Sequence, residues 1–244
     1  MIRLTAVALL SAAALAFEVL LVRAFAIMQW HHFAAMIISM ALLGYGASGT
    51  LLTLARHRFV AGAEFSFAVL AALFALCVLA GVSVAQAVPL NLLELAWDRG
   101  QQVKLMLIYL VLALPFLLAG SGIGLALAVA GERVGKVYRS DLLGAGCGSL
   151  GVIGLLWLLP VADCLRATAA FALCAAAAGS GAPRRNSLLA GACLAGAVLI
   201  PWVWPEAWLA PRPSPYKELS LALTVPGARV VAERHGPLGQ LTVV

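Results

Sequence analysis

Uncharged apolar runs of more than twenty residues limit what this chain can fold into. Residues 33–55 and 65–88 contain no Asp, Glu, Lys or Arg. A helix needs about 20 apolar residues to cross the roughly 30 Å hydrocarbon core of a bilayer. Over the whole chain, 64% of the residues are hydrophobic, 11% are charged, and the mean hydropathy is +1.03. Since a soluble domain carries about 25% charged residues, these values predict an integral membrane protein.

The apolar runs predict an all-α, polytopic transmembrane helix bundle of about seven helices over residues 1–204. The expected helices cover residues 4–28, 33–55, 65–88, 105–131, 142–162, 167–183 and 187–204. Between the third and fourth of them, Leu90, Leu93 and Trp97 recur at helical spacing. This spacing predicts a short interfacial helix over residues 89–102, in the headgroup region.

The composition changes after Pro205. Four prolines between residues 205 and 215 are typical of a linker, and residues 216–244 are ordinary soluble sequence. Residues 228–233 and 240–244 favour strands on either side of a turn. A lone hairpin is only marginally stable in water. We therefore expect a β-hairpin-like tail that begins a soluble domain.

The net charge of +6 comes from short basic clusters between the apolar runs, a pattern typical of cytoplasmic loops rather than of nucleic-acid binding. With seven crossings, the N-terminus and every second loop hold more basic residues than the opposite loops. This asymmetry predicts that the N-terminus lies inside and the tail outside. We expect a multi-pass protein of the plasma membrane or cell inner membrane. The basic residues on the expected inner side are Arg3, Arg56, Arg58, Arg133, Lys136, Arg139, Arg184 and Arg185.

Polar residues beside or within the first helix are candidates for an intramembrane site. Glu18 and Arg23 lie within the first apolar run, where a charge costs about 2.5–3.5 kcal/mol on insertion scales. Their spacing of five residues is poor for an intrahelical pair, so each is expected to meet another helix or a polar cavity. The alternative for Arg23 is that its long side chain extends to the membrane–water interface. His31 and His32 follow at the turn, either as ligands for a metal, haem or quinone or as interfacial residues beside Trp30.

A charged stretch over residues 132–146 is the second candidate region. Asp141 is expected at the start of the fifth helix, where its carboxylate suits the positive end of the helix dipole. Pairing with Arg139 or Lys136 is a further expectation. Tyr138 and Arg139 are candidates for a loop that contacts a ligand or a partner. The alternative is that Asp141 only caps the fifth helix and that the basic residues only mark a cytoplasmic loop.

The remaining motifs indicate packing rather than chemistry. Residues 44–49 match GxGxxG, but the match lies inside a charge-free span rather than between a strand and a helix. Small residues at such spacing let membrane helices approach closely, and the same reading fits Gly120, Gly122 and Gly124 and the series Gly144, Gly148, Gly151 and Gly154. The five cysteines form no CxxC pair, so neither a disulfide framework nor a zinc site is expected. No catalytic constellation and no cofactor site is evident.

Several segments together resemble the membrane-embedded spermidine synthase-like proteins of bacteria, from about residue 17 to the end. The resemblance rests on the run that begins at Phe17, on residues 132–150, and on the tail from Ser214. The residues that carry it are Glu18, Arg23, His32, Phe33, the Gly44–Gly49 run, Tyr138, Asp141, Leu142, Gly144 and the SPYK stretch Ser214–Lys217.

That resemblance implies a membrane domain followed by a domain similar to polyamine aminopropyltransferases, with residues 216–244 at the start of the latter. The glycine-rich motif for decarboxylated S-adenosylmethionine and the acidic catalytic residues are expected beyond Val244. The resemblance thus implies a membrane domain that is not catalytic by itself and that works with a separate or downstream catalytic domain. We further expect Glu18 and Asp141 to hold a small cationic substrate, with Arg23 and His32 to orient or balance them. A transporter or permease-like protein and a structural membrane partner are the alternatives.

Overall fold

A computed structural model describes residues 2–28, 33–91, 94–181, 184–213, 217–225, 227–236 and 239–244. The helices are α1 (Leu4–Met28), α2 (Phe33–Leu54), α3 (Arg56–Ala61), α4 (Ala63–Ala87), α5 (Arg99–Ala128), α6 (Val134–Leu155), α7 (Val161–Gly179), α8 (Arg184–Val203) and α9 (Glu218–Ala222). Short 3₁₀ turns cover Gly131–Arg133 and Glu206–Trp208, and two strands follow, β1 (Ala232–His235) and β2 (Gln240–Val243).

The helical membrane bundle predicted from the sequence is confirmed. Within the described ranges, seven helices have 19 or more residues. Helices α1, α2, α4, α5 and α7 are long and apolar enough to cross a membrane. In α8 the apolar part is shorter, Asn186–Ile200. Helix α6 begins with charged turns, although its 22 residues rise about 33 Å, enough for the hydrocarbon core.

Glycines bring α1 and α6 into close contact. A side chain at Gly144 or Gly148 of α6 would collide with the backbone of Ala8 or Ala12 of α1. The residue numbers rise together along this contact, so the two helices are parallel. As expected for small residues in a membrane, the absent side chains let the backbones approach.

A second glycine contact makes α2 and α5 parallel. A Cβ at Gly44 would lie 2.6 Å from the Ala113 carbonyl oxygen, and a Cβ at Gly124 would lie 2.6 Å from Leu52. The packing role expected for these glycines is therefore confirmed. It does not extend to all of them, because Gly46, Gly49, Gly151 and Gly154 face open space.

Several contacts join the end of one helix to the start of another, so the long helices alternate in direction along the chain. Gly179 near the end of α7 lies against Ala6 near the start of α1, and Gly122 of α5 lies against Leu10. Arg166 near the start of α7 donates to the Trp204 carbonyl oxygen just after α8. Helices α1, α4, α6 and α8 thus run one way, and α2, α5 and α7 run the other way. The N-terminus and the tail lie at opposite ends of the bundle.

The core is centred on Phe17 of α1. Its ring lies 5.4 Å from the ring of Phe116 and 6.2 Å from that of Phe74, measured between centroids. All three rings are fully buried. Helix α1 is largely apolar, with Ser11, Glu18 and Arg23 as exceptions, and contacts α2, α5, α6 and α7, as expected for a helix that is buried all round.

Two sequence-based expectations about local structure were wrong. Of residues 89–98, those described form irregular loop, a single 3₁₀ residue at Glu94 and a turn rather than an α-helix, and Leu92 and Leu93 lie outside the described residues. The Asp98 side chain accepts a hydrogen bond from the Gly100 N–H and caps α5. An N-cap starts the helix after it, so α5 begins at Arg99 rather than at residue 105. Helix α6 begins at Val134 rather than at 142, because Lys136 and Arg139 are exposed and leave the helix intact, while Asp141 faces Ser11 of α1.

The C-terminal segment, residues 205–244, begins against the tail-side end of the bundle. Leu209 is fully buried. The Gln86 side chain donates to the Trp208 carbonyl oxygen, and the Trp204 indole donates to Ser83. The predicted hairpin is confirmed as an antiparallel pair, with Ala232 opposite Val243. Its first strand lies at 232–235, four residues later than the sequence indicated.

Candidate functional site

Four polar residues from three helices lie in the same region of the apolar bundle. They are Ser11 and Glu18 on α1, Tyr45 on α2 and Asp141 on α6, and we call them the acidic cluster. Ser11 and Glu18 are seven residues apart, which places them on one face of α1. Glu18 lies about 21 Å along a helix that is about 37 Å long. The cluster is thus well inside the membrane-spanning part of α1.

Asp141 is anchored by Ser11. The Ser11 hydroxyl lies 2.5 Å from the Asp141 carboxylate and 2.9 Å from the Val7 carbonyl oxygen. A hydroxyl has one proton, so it donates to one of these oxygens at a time. Ser11 is 1% exposed. The close contact between α1 and α6 holds the two side chains in reach of each other.

Tyr45 carries a hydroxyl that lacks a partner among the described residues. Its oxygen is buried, and its ring packs edge-on against Phe116 at 5.7 Å. Glu18 and Asp141 both lie within electrostatic range of this hydroxyl. A buried polar group without a partner costs about 1–3 kcal/mol, and a hydrogen bond to this oxygen would relieve that cost.

The arrangement suits a small cation. Glu18 and Asp141 both carry negative charge near the Tyr45 hydroxyl, so a positive charge beside that hydroxyl would be attracted by both carboxylates. An ammonium group has up to three donors and no acceptor. Its N–H groups match the carboxylate oxygens and the lone pairs of the tyrosine oxygen. In the described part of the chain, no hydrogen bond from the protein reaches Glu18.

Arg23 is not part of the acidic cluster. It lies at the tail-side end of α1, where it lines a cavity together with residues of the α6–α7 connection and of the C-terminal segment. No ion pair joins it to Glu18 in the described residues. The two charges of α1 therefore belong to different places in the molecule.

Lys217 joins the C-terminal segment to α1. Its ammonium group donates to the carbonyl oxygens of Ala26 and Ile27, both at 2.7 Å. These carbonyls belong to the last turn of the helix, where no intrahelical donor remains for them and a cation is favoured. Loss of hydration on burial and the nearby charge of Arg23 lower the pKa of Lys217.

The other residues singled out from the sequence lie elsewhere. Tyr138 and Arg139 are exposed on the second turn of α6 rather than in a loop. Asp141 lies two turns inside that helix and does not cap it; in the described part of the chain it forms no ion pair with Arg139 or Lys136. His31 and His32 lie outside the described residues.

Two further features of the described residues bear on the chemistry. No group of three His, Cys, Asp or Glu side chains is arranged to hold a metal ion in the ranges given above. The groove of about 330 Å³ between α1, α6 and α7 is lined by Ala, Gly and larger apolar residues, with Thr168 as its polar member. It offers no charge to an ionic ligand.

Comparison with known proteins does not assign the chain to a family. No protein-family model, no curated protein and no solved structure matches it. The resemblance to spermidine synthase-like membrane proteins therefore rests on the sequence motifs alone.

Sequence reasoning missed Ser11, Tyr45 and Lys217 as parts of the polar contacts. Ser11 had a signal, since it lies two turns before Glu18 on the same face of α1. Tyr45 stands inside the glycine run, which was interpreted as packing only. Lys217 belongs to the SPYK stretch, and nothing in the sequence indicated a contact across almost two hundred residues.

Proposed function

We propose that the chain is a membrane-embedded helical domain that binds a small organic cation at the acidic cluster. The observation that carries this proposal is the buried Tyr45 hydroxyl, which lacks a partner in the described residues while two carboxylates from two other helices act on it. Charged residues at membrane depth are costly and mark sites for substrates or ions.

A polyamine-like amine is the class of ligand that fits this cluster. Charge-assisted hydrogen bonds from N–H to carboxylate are about twice as strong as neutral ones, and burial strengthens them further. The walls around Tyr45 are apolar because Phe116 and the rest of the aromatic core lie next to it. Methylene groups between amines would contact such walls favourably.

The second part of the proposal is that the bundle anchors the C-terminal segment. Support comes from the hydrogen bonds of Lys217, from the bond between Gln86 and Trp208, and from the buried Leu209. Such contacts suit the membrane domain of a spermidine synthase-like protein that holds an aminopropyltransferase-like domain and is not itself catalytic. We place this protein in a plasma or bacterial inner membrane.

Substitution of the carboxylates tests the cation site. We expect Glu18→Gln and Asp141→Asn each to weaken binding of radiolabelled spermidine to the purified chain by about tenfold or more, because each removes a charge-assisted contact. Glu132→Gln, an exposed carboxylate in the α5–α6 connection, is the matched control and should leave binding unchanged. Equal binding by all four proteins, with unchanged helix content, would mean that the charges have only a structural role.

A transporter is the second candidate, favoured by the depth of Glu18 within α1. Reconstitution into proteoliposomes separates the two functions. An anchoring domain that binds the cation would show spermidine binding without uptake. Counterflow of labelled spermidine that is lost in Glu18→Gln would favour the transporter instead.

A further inference from the structure

A second cavity lies at the tail-side end of the bundle, away from the acidic cluster. It encloses about 310 Å³ between the end of α1, the connection from α6 to α7, and the C-terminal segment. Arg23 and Glu206 provide its charged groups, and Ile27, Leu156 and Leu159 provide apolar walls. The hairpin contributes Gly236 and Gln240.

Arg23 is the feature that points to a ligand. Its side chain is 8% exposed, and its Nε is buried without an acceptor among the described residues. A guanidinium group has five N–H donors in a planar fork that matches phosphate and carboxylate oxygens. A buried donor of this kind is costly unless an anion accepts from it. The cavity that it lines has room for such an anion.

Glu206 adds the opposite charge to the same cavity. It is exposed and belongs to the 3₁₀ turn after α8. Arg23 and Glu206 form no ion pair within 4 Å in the described residues. Two opposite charges that line one cavity without meeting fit a ligand that carries both an anion and an amine.

The depth of the cavity adds a third argument. It lies where α1 ends and the C-terminal segment begins, which is the level of the lipid headgroups on that side. One part of its wall is apolar and the other is polar, as an amphiphile at an interface requires.

We propose that this cavity binds a zwitterionic phosphoethanolamine group, with the phosphate on Arg23 and the amine near Glu206. The group has two sources, the headgroup of phosphatidylethanolamine or a soluble phosphoethanolamine ester. The proposal does not depend on cation binding at the acidic cluster, which has its own probe and its own variants.

Native mass spectrometry of the full chain, stripped of lipid in detergent, tests the proposal. Phosphatidylethanolamine and phosphatidylglycerol are titrated as probes, since the second keeps the phosphate and lacks the amine. We expect the wild type to prefer phosphatidylethanolamine by about tenfold. Glu206→Gln should abolish that preference. Arg23→Gln should weaken binding of both lipids by about tenfold, whereas Arg229→Gln, an exposed arginine of the C-terminal segment, should change neither.

Glu206 is exposed, so its variant keeps the fold and the test stands even if Arg23→Gln is unstable. Equal affinity of the wild type for the two lipids, unchanged by Glu206→Gln, would overturn the proposal. Competition by glycerophosphoethanolamine distinguishes the two sources. Full displacement of the lipid by this soluble ester supports a soluble ligand, and no displacement supports a lipid headgroup.

Discussion

Glu18 and Arg23 lie five residues apart on one helix, yet they serve two different regions of the molecule. Five residues turn the helix by about 140°. Glu18 joins Tyr45 and Asp141 in the interior, whereas Arg23 faces a cavity shared with the C-terminal segment. Their closeness along the chain says little about pairing. What decides the partner of a charge in a membrane helix is which neighbouring helix or segment its face meets.

The two regions also differ in how they are built. The acidic cluster depends on a close backbone contact between α1 and α6, made by glycines. The Arg23 cavity depends on the docking of the C-terminal segment, in which Lys217 contacts the end of α1. Disturbing one of these supports should leave the other region largely intact.

The largest expected difference is in the activity of reporters fused at the two ends of the bundle, because the two ends face opposite sides of the membrane. The basic residues at the N-terminal end of the bundle predict that the Arg23 cavity lies on the non-cytoplasmic side. Alkaline phosphatase fused after Val244 should be active, and a fluorescent protein fused there should be dark. A fusion after Arg133, in the α5–α6 connection, is the control and should behave in the opposite way. Fluorescence at Val244 would contradict the assignment of sides.

Gly148→Leu should break the acidic cluster and spare the Arg23 cavity. The new side chain collides with the backbone of Ala12, so α6 must move away from α1 and Asp141 must leave Ser11. Overpacking costs about 1–3 kcal/mol, and we expect spermidine binding to fall by more than tenfold, or about 1.4 kcal/mol.

Gly154→Leu is the matched control on the same helix, because a Cβ there meets open space. Equal spermidine binding by the two leucine variants would show that the α1–α6 contact does not support the cluster.

Tyr45→Phe sharpens the functional reading of the cluster. Removal of a hydroxyl that has no partner in the described residues should leave the free energy of unfolding unchanged or raise it by about 1 kcal/mol. Spermidine binding should fall a few-fold, since the cation loses one acceptor. A loss of stability with unchanged binding would assign the hydroxyl a structural role instead.

Lys217→Met should have the smallest effect and should act on the cavity alone. The variant loses two hydrogen bonds to the end of α1, a cost on the order of 1 kcal/mol. We expect faster proteolysis within residues 217–244 and unchanged spermidine binding. An equal rate of proteolysis in wild type and variant would contradict the docking contact.

Much of the bundle was predictable because long apolar runs have one outcome in a bilayer. The runs located the long helices, and the spacing of small residues predicted the contacts at Gly44, Gly124, Gly144 and Gly148. Helix starts were less predictable. Asp98 begins α5 early, and the first turns of α6 stay helical because the basic side chains Lys136 and Arg139 are exposed.

The site was only partly predictable. Charges inside an apolar run drew attention to Glu18 and Arg23, since such charges are rare at membrane depth. The charged stretch over residues 132–146 drew attention to Asp141. The grouping of Glu18 with Tyr45, and of Arg23 with Glu206, depends on which helices are neighbours. That information lies in tertiary packing rather than in the period of any single helix.

A double-mutant cycle on Glu18 and Asp141 tests the central claim most directly. Spermidine binding is measured for the wild type, Glu18→Gln, Asp141→Asn and the double variant. If both carboxylates hold one cation, the two losses are coupled, and the double variant departs from their sum by at least about 1 kcal/mol. Losses that add to within about 0.3–0.5 kcal/mol, or no loss at all, would contradict a shared cation site.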